Sequence, residues 1–201
     1  MRAGTAIALI TCCLATPAHA QLIDSTPDTF GKVKLLAETA RANSPTPTDA
    51  VSAMEAAFIA EFGDVRAASA TIVDSTALSV RVITPIHTLY LIFANALRNR
   101  SPLPDHAPPS YVAIHVRPSQ HDAPNVTRVA LFLDGHEVPP ETNNLKPSPI
   151  SNWQGGVALK GSGVVAWKSD VFTTPGVVKV RVITDGPVFE WEYSAGKPPL
   201  R

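Results

Sequence analysis

The sequence predicts an α+β protein, with N-terminal helices and a β-hairpin followed by an antiparallel β-sandwich, expected to be immunoglobulin-like. Three observations predict it. Apolar residues recur at helical spacing over the first half of the chain, and at strict alternation over the second half. Between the two, Ser101-Pro102-Leu103-Pro104-Asp105-His106-Ala107-Pro108-Pro109 carries four prolines. Proline has no N–H and a fixed φ, so this run continues neither helix nor sheet.

The helical half divides at its turn residues. A short helix is expected over Thr29–Ala42. Thr48-Asp49 offers an N-cap to a second helix, in which Val51, Met54, Phe58 and Phe62 form one stripe and Gly63 closes the end. Core packing is the expected role of that stripe. Val65–Val73 and Ala77–Thr84 read as strands joined by Asp74-Ser75-Thr76. Thr84 then caps a third helix with Pro85 at its first position. Ile86, Leu89, Tyr90, Phe93 and Leu97 line one face of it. Leu91, Ile92 and Ala94 make the other side apolar, so burial on more than one face is expected, with docking against the hairpin.

Past the proline run the period changes to two. Val112, Ile114 and Val116; Val129, Leu131 and Leu133; Val178, Val180 and Val182; and Phe189, Trp191 and Tyr193 each alternate with polar or smaller neighbours. Such strands have one buried and one wet face. Asp134-Gly135, Asn143-Asn144, Gly155-Gly156, Gly161-Ser162-Gly163 and Asp185-Gly186 read as the turns between them. The expected organisation is a signal peptide over 1–20, a helical and hairpin region over 21–100, a proline-rich linker or crossover over 101–110, a β-sandwich over 111–196 and a tail over 197–201.

The first twenty residues read as an export address. Arg2 supplies a positive start, Ala6–Ala15 an apolar run, and Ala18-His19-Ala20 a peptidase site ahead of Gln21. That run is too short to cross a bilayer, which takes roughly 20 residues. Cleavage after Ala20 removes Cys12 and Cys13, the only two cysteines, and leaves a periplasmic or secreted chain with no thiol chemistry. Lipidation at Cys12 is the lesser alternative, because Thr11 precedes it poorly. Removing Arg2 leaves 16 Lys and Arg against 17 Asp and Glu, a net charge of −1. With no basic cluster, a nucleic acid is not an expected partner. No later segment is a membrane span. Asn99-Arg100-Ser101 and Asn125-Val126-Thr127 match a glycosylation pattern that is short and common.

Chemistry is sparse. No H-E-x-x-H, G-x-S-x-G or phosphate-cradling glycine loop occurs. Glu190 and Glu192 share a strand face opposite Lys179 and Arg181, which predicts a cross-strand charge ladder rather than a catalytic carboxylate pair. His115, His121, Asp134 and His136 flank two successive strands. Were those strands a hairpin, imidazoles and a carboxylate would gather at one edge, as a zinc-like metal requires. His87 and His106 carry no such pattern. Trp153 lies in the polar run Ser151-Asn152-Trp153-Gln154-Gly155, where an aromatic can anchor a sugar or a protein. The expectation is therefore an exported, non-enzymatic module that recognises a protein, peptide or glycan of the cell envelope and needs no cofactor. The alternative is a metal-binding protein or metal-dependent hydrolase built on the histidines.

Overall fold

The computed structural model describes residues 27–63, 69–152 and 154–195. The expected signal segment over 1–20, the expected tail over 197–201 and Trp153 lie outside the described residues. The described chain runs α1 (Pro27–Asn43), α2 (Pro47–Phe62), β1 (Ser69–Asp74), β2 (Leu78–Ile83), α3 (Pro85–Arg98), β3 (Tyr111–Pro118), β4 (Val126–Leu133), β5 (His136–Val138), β6 (Thr142–Asn143), β7 (Lys146–Ser151), β8 (Val157–Lys168), α4 (Asp170–Thr173), β9 (Gly176–Thr184) and β10 (Val188–Ala195). It is an α+β protein with its long helices N-terminal and two antiparallel sheets. No described helix is long and apolar enough to cross a membrane. The chain separates into a unit containing α1, α2 and α3, which includes Ile83–Val112, and a unit formed by Thr71–Val82 with Ala113 onward.

In the helical unit, each helix buries a stripe set by its own sequence. Val33, Ala37 and Ala40 of α1 recur at spacings of four and three and are buried. The α2 stripe is centred on Ala50, Met54 and Phe58, with Val51 and Phe62 packed partly buried at its margins. This helix starts earlier than Thr48-Asp49 suggested. Thr46 is the N-cap, its hydroxyl accepts the Asp49 N–H at 3.2 Å, and Pro47 stands at the first helical position. Proline loses nothing there, because that N–H has no helical partner. At the other end, the Gly63 N–H donates to the Ile59 carbonyl at 2.9 Å with φ at +85°, the cap that the sequence predicts.

Ile86, Leu89, Tyr90, Phe93 and Leu97 of α3 are all buried, and Ala94 joins them. Leu91 is 39% exposed, so one broad face is covered rather than two. The Phe30 ring meets Phe93 at 5.6 Å and the Phe58 ring meets Tyr90 at 5.2 Å, tying α1 and α2 to α3. Burial, and then the Glu55 carboxylate that its hydroxyl bonds, push the Tyr90 phenol above its ordinary 10.0. The segment after α3 is held on α1. Arg41 donates to the Ser101 carbonyl at 2.7 Å, Lys34 to Asp105 at 3.0 Å, and Leu103 packs on the helical core. Thr84 occupies the N-cap position of α3, yet its hydroxyl makes no cap bond and is buried with no hydrogen-bond partner among the described residues.

In the strand unit, the larger sheet has the order β1-β2-β3-β8-β6, with β7 also paired to β8; the smaller has the order β10-β9-β4-β5. The hairpin expected beside the helices is thus an edge of the larger sheet, its second strand paired to β3. Leu78, Val80 and Val82 of β2, Val112, Ile114 and Val116 of β3, and Val178, Val180 and Val182 of β9 are buried at alternate positions. In β4 the register shifts between Val126 and Arg128. The extra residue lets Val126 and Val129 both be buried despite their odd spacing. Trp167 and Phe172 are each 1% exposed, and the Trp167 Nε1 donates to the Val138 carbonyl at 2.9 Å.

One expected turn is not a turn. Gly161-Ser162-Gly163 lies inside β8, paired to β7 through Gly161–Pro147 and Ser162–Lys146. A Cβ on Gly161 would stand 1.8 Å from the Val126 carbonyl oxygen, and one on Gly163 2.2 Å from that of Asn144. These glycines let other backbone segments approach the strand, a requirement that composition alone cannot separate from a turn.

Candidate functional site

Strand β10 is an edge strand whose only strand partner, among the described residues, is β9. Its registers Glu190–Arg181 and Glu192–Lys179 place opposite charges face to face, as the sequence predicts. Arg181 Nε reaches Glu190 at 2.6 Å, and Lys179 Nζ reaches Glu190 at 3.7 Å and Glu192 at 3.6 Å. Arg181 also lies over the Phe132 ring at 5.0 Å. These half-exposed pairs contribute a few tenths of a kcal/mol to about 1 kcal/mol each. They set the orientation of β10, so that by alternation Phe189 and Trp191 take its other face.

That aromatic face borders a cleft of about 340 Å³. Its other wall is β1, the edge strand of the larger sheet, through Thr71, Ile72 and Val73, with Pro124 and Leu78 completing the apolar lining. Asp74, Ser75 and Glu190 add polar groups to the lining. Asp74 lies 4.0 Å from Arg81, and Ser75 Oγ exchanges hydrogen bonds with the backbone of Leu78. The arrangement suits an apolar or aromatic group carried on an extended backbone. Aromatic and aliphatic walls supply burial, and each edge strand presents a row of backbone groups on its unpaired side.

The residues picked out by the sequence for a metal are not gathered. His115 lies on β3 and Asp134 and His136 on the β4–β5 hairpin, and these strands belong to different sheets, so the hairpin that would have joined them does not exist. Asp134 and Gly135 have φ of +48° and +83° and form the tight turn from Leu133 to His136. The Asp134 carboxylate accepts the Val177 N–H at 2.8 Å, which fastens this turn to β9. His136 is exposed, and His121 stands in the turn after β3. His115 is half-buried; burial first, then the charges of Arg117 and Arg81, hold its imidazole below the ordinary 6.5. Those two cations also oppose a divalent ion there. Among the described residues, no group of three or more His, Cys, Asp or Glu is placed to hold a metal ion.

The cleft was not legible in the sequence. Phe189 and Trp191 are visible there only as strand alternation, and their pairing across space with Thr71 and Ile72 depends on strand order. No protein-family model matches this chain, and no curated protein or solved structure matches it.

Proposed function

We propose that this protein is exported and acts in the cell envelope as a non-enzymatic binding module, capturing an extended segment of a partner protein in the cleft between β1 and β10. The observation that carries the reading is the cleft itself. It combines an aromatic wall with two strand edges whose outer sides have no strand partner among the described residues. A peptide can add to such an edge through main-chain hydrogen bonds while alternate side chains enter the apolar space.

An immunoglobulin-like sandwich is the architecture we infer for the strand unit. The support is strand order. With β2 to β5 taken as A, B, C and C′, the larger sheet runs A-B-E-D after an additional edge strand, β1, with β8 as E and β6 and β7 sharing the place of D. The smaller sheet then runs G-F-C-C′, from β10 to β5. Contact of β8 with β4 at Gly161 and Val126 favours sheets packed face to face. Loops and edges of such sandwiches commonly carry recognition, which is an argument from analogy.

The test is selection of displayed peptides on the purified processed chain, in parallel with a glycan array and with capture from an envelope fraction. Retention of extended peptides or an envelope protein is expected, abolished by Ile72→Lys and by Phe189→Lys in variants that keep their circular dichroism. Failure to retain any peptide or protein, or retention that both variants preserve, defeats the proposal; glycan binding alone would reassign the ligand. Export is tested separately, by N-terminal sequencing of the secreted product, which should begin at Gln21.

A further inference from the structure

The β7–β8 hairpin carries a second surface, away from the cleft residues. Val157 and Leu159 are 62% and 63% exposed. The registers Val157–Ser151, Leu159–Pro149 and Gly161–Pro147 place them on one face with Pro149 and Pro147, which are exposed too. Exposed apolar side chains clustered in this way mark a contact surface more often than isolated ones do.

Charge is segregated onto the same hairpin. No Asp or Glu occurs between Glu141 and Asp170, whereas Lys146, Lys160 and Lys168 do. Lys168 pairs with Glu141 at 3.2 Å, but Lys146 and Lys160 form no ion pair among the described residues. Counted from the turn, the apolar registers Val157–Ser151, Ala158–Ile150 and Leu159–Pro149 come first. Lys160 is in the fourth register and Lys146 in the sixth, both on the hairpin's other face by alternation. At about 3.4 Å per residue, Lys160 stands roughly 10 Å and Lys146 roughly 17 Å behind Val157. Exposed apolar side chains near the turn with cations set further back suit an anionic interface, the apolar groups entering it and the lysines staying at its surface.

The edge chemistry points the same way. Pairing with β8 runs through both Pro147 and Pro149, so their donor-less nitrogens face the outer side of β7. An edge without those N–H groups resists strand addition by a protein and exposes fewer polar groups to lipid.

We propose that the β7–β8 hairpin docks this protein on an anionic phospholipid surface, Val157 and Leu159 entering the headgroup layer and Lys146 and Lys160 meeting lipid phosphates. The membrane encountered follows from the export reading, but the interaction is intrinsic to the hairpin and is measured without it. The experiment is co-sedimentation of the processed chain with phosphatidylglycerol-rich vesicles and with pure phosphatidylcholine vesicles. Binding to the first and not the second is expected, weakening as salt is added. Replacing both lysines by glutamine should weaken it about 30-fold, at roughly 1 kcal/mol per surface lysine. Val157→Asn with Leu159→Asn should weaken it by about tenfold or more. All four positions lie at the surface, and circular dichroism checks that the variants stay folded. No binding to anionic vesicles, or binding unchanged in both variants, overturns the proposal. So does a dimer, seen by sedimentation velocity, that Val157→Asn with Leu159→Asn dissociates, because the face would then belong to a second copy.

Discussion

Gly161→Ala separates two accounts of one residue. A glycine in a surface turn would lose little on gaining a methyl, whereas at Gly161 the new carbon falls 1.8 Å from the Val126 carbonyl oxygen. Ordinary contact needs roughly 3.4 Å or more, so backbone must move by well over an ångström. The Gly161 N–H also donates to the Asn125 side-chain oxygen at 2.8 Å, and this bond would stretch or break with the same movement. Overpacking of a tight site costs about 1–3 kcal/mol, and a half-buried polar pair left unmade adds about 1 kcal/mol or more. The expected loss is therefore about 3 kcal/mol. Urea unfolding followed by tryptophan fluorescence is a suitable assay, because Trp167 and Trp191 belong to the unit that contains β8. Gly31→Ala, followed by circular dichroism because its unit carries no tryptophan, is the control. It lies in α1 with nothing within 4 Å of its added Cβ, and should stabilise the helix by about 0.5–1 kcal/mol. A cost below about 0.5 kcal/mol for Gly161→Ala would refute the close approach and restore the turn.

Thr84→Val keeps the shape of a side chain whose buried hydroxyl has no partner among the described residues, and should raise stability by about 1 kcal/mol in thermal unfolding. A loss of that size would mean that the hydroxyl is bonded after all. Trp167→Phe removes part of a fully buried ring and leaves the Val138 carbonyl without its donor, so a loss of about 2–4 kcal/mol is expected from chemical denaturation. A loss under about 1 kcal/mol would place the ring nearer solvent. The depressed imidazole of His115 gives a pH signature with a definite sign. As pH falls through its unfolded value near 6.5, the unfolded chain takes up the proton first. Stability present above that pH is then lost down to the folded value, at no more than about 1.4 kcal/mol per pH unit and less at this half-exposed site. His115→Gln should flatten the fall in melting temperature below pH 6.5, and an unchanged slope would show that the imidazole titrates normally.

Period and punctuation carried much of the fold. Val51 to Phe62, and the stripe from Ile86 to Leu97, read as helices because a 3.6-residue repeat buries one side. Val178, Val180 and Val182 read as a strand because alternation buries one face. Asp134-Gly135 read as a tight turn because aspartate and glycine are among the few residues that tolerate positive φ. The ladder of Glu190 and Glu192 with Lys179 and Arg181 was also foreseeable, since facing strands of equal period align their charges. These are local properties, and local sequence encodes them.

Strand order is a different kind of quantity. Nothing local required β3 to pair with β2 and β8 while β4 pairs with β5 and β9, yet that choice puts His115 in a different sheet from Asp134 and His136, so β3 and β4 are not the hairpin on which the alternative metal reading rested. The same choice brings the Phe189 and Trp191 strand to the cleft that Thr71 and Ile72 line, across more than a hundred residues of chain. Gly161 was ambiguous for the same reason, because the carbonyl that excludes a side chain belongs to a residue 35 positions earlier. The sequence by itself determined the three long helices, the clearly alternating strands and the opposed charges on β9 and β10, but not β7 or β8. Only the tertiary structure decided which of their faces meet, because sheet pairing is fixed by competition among all the strands at once rather than by any one of them.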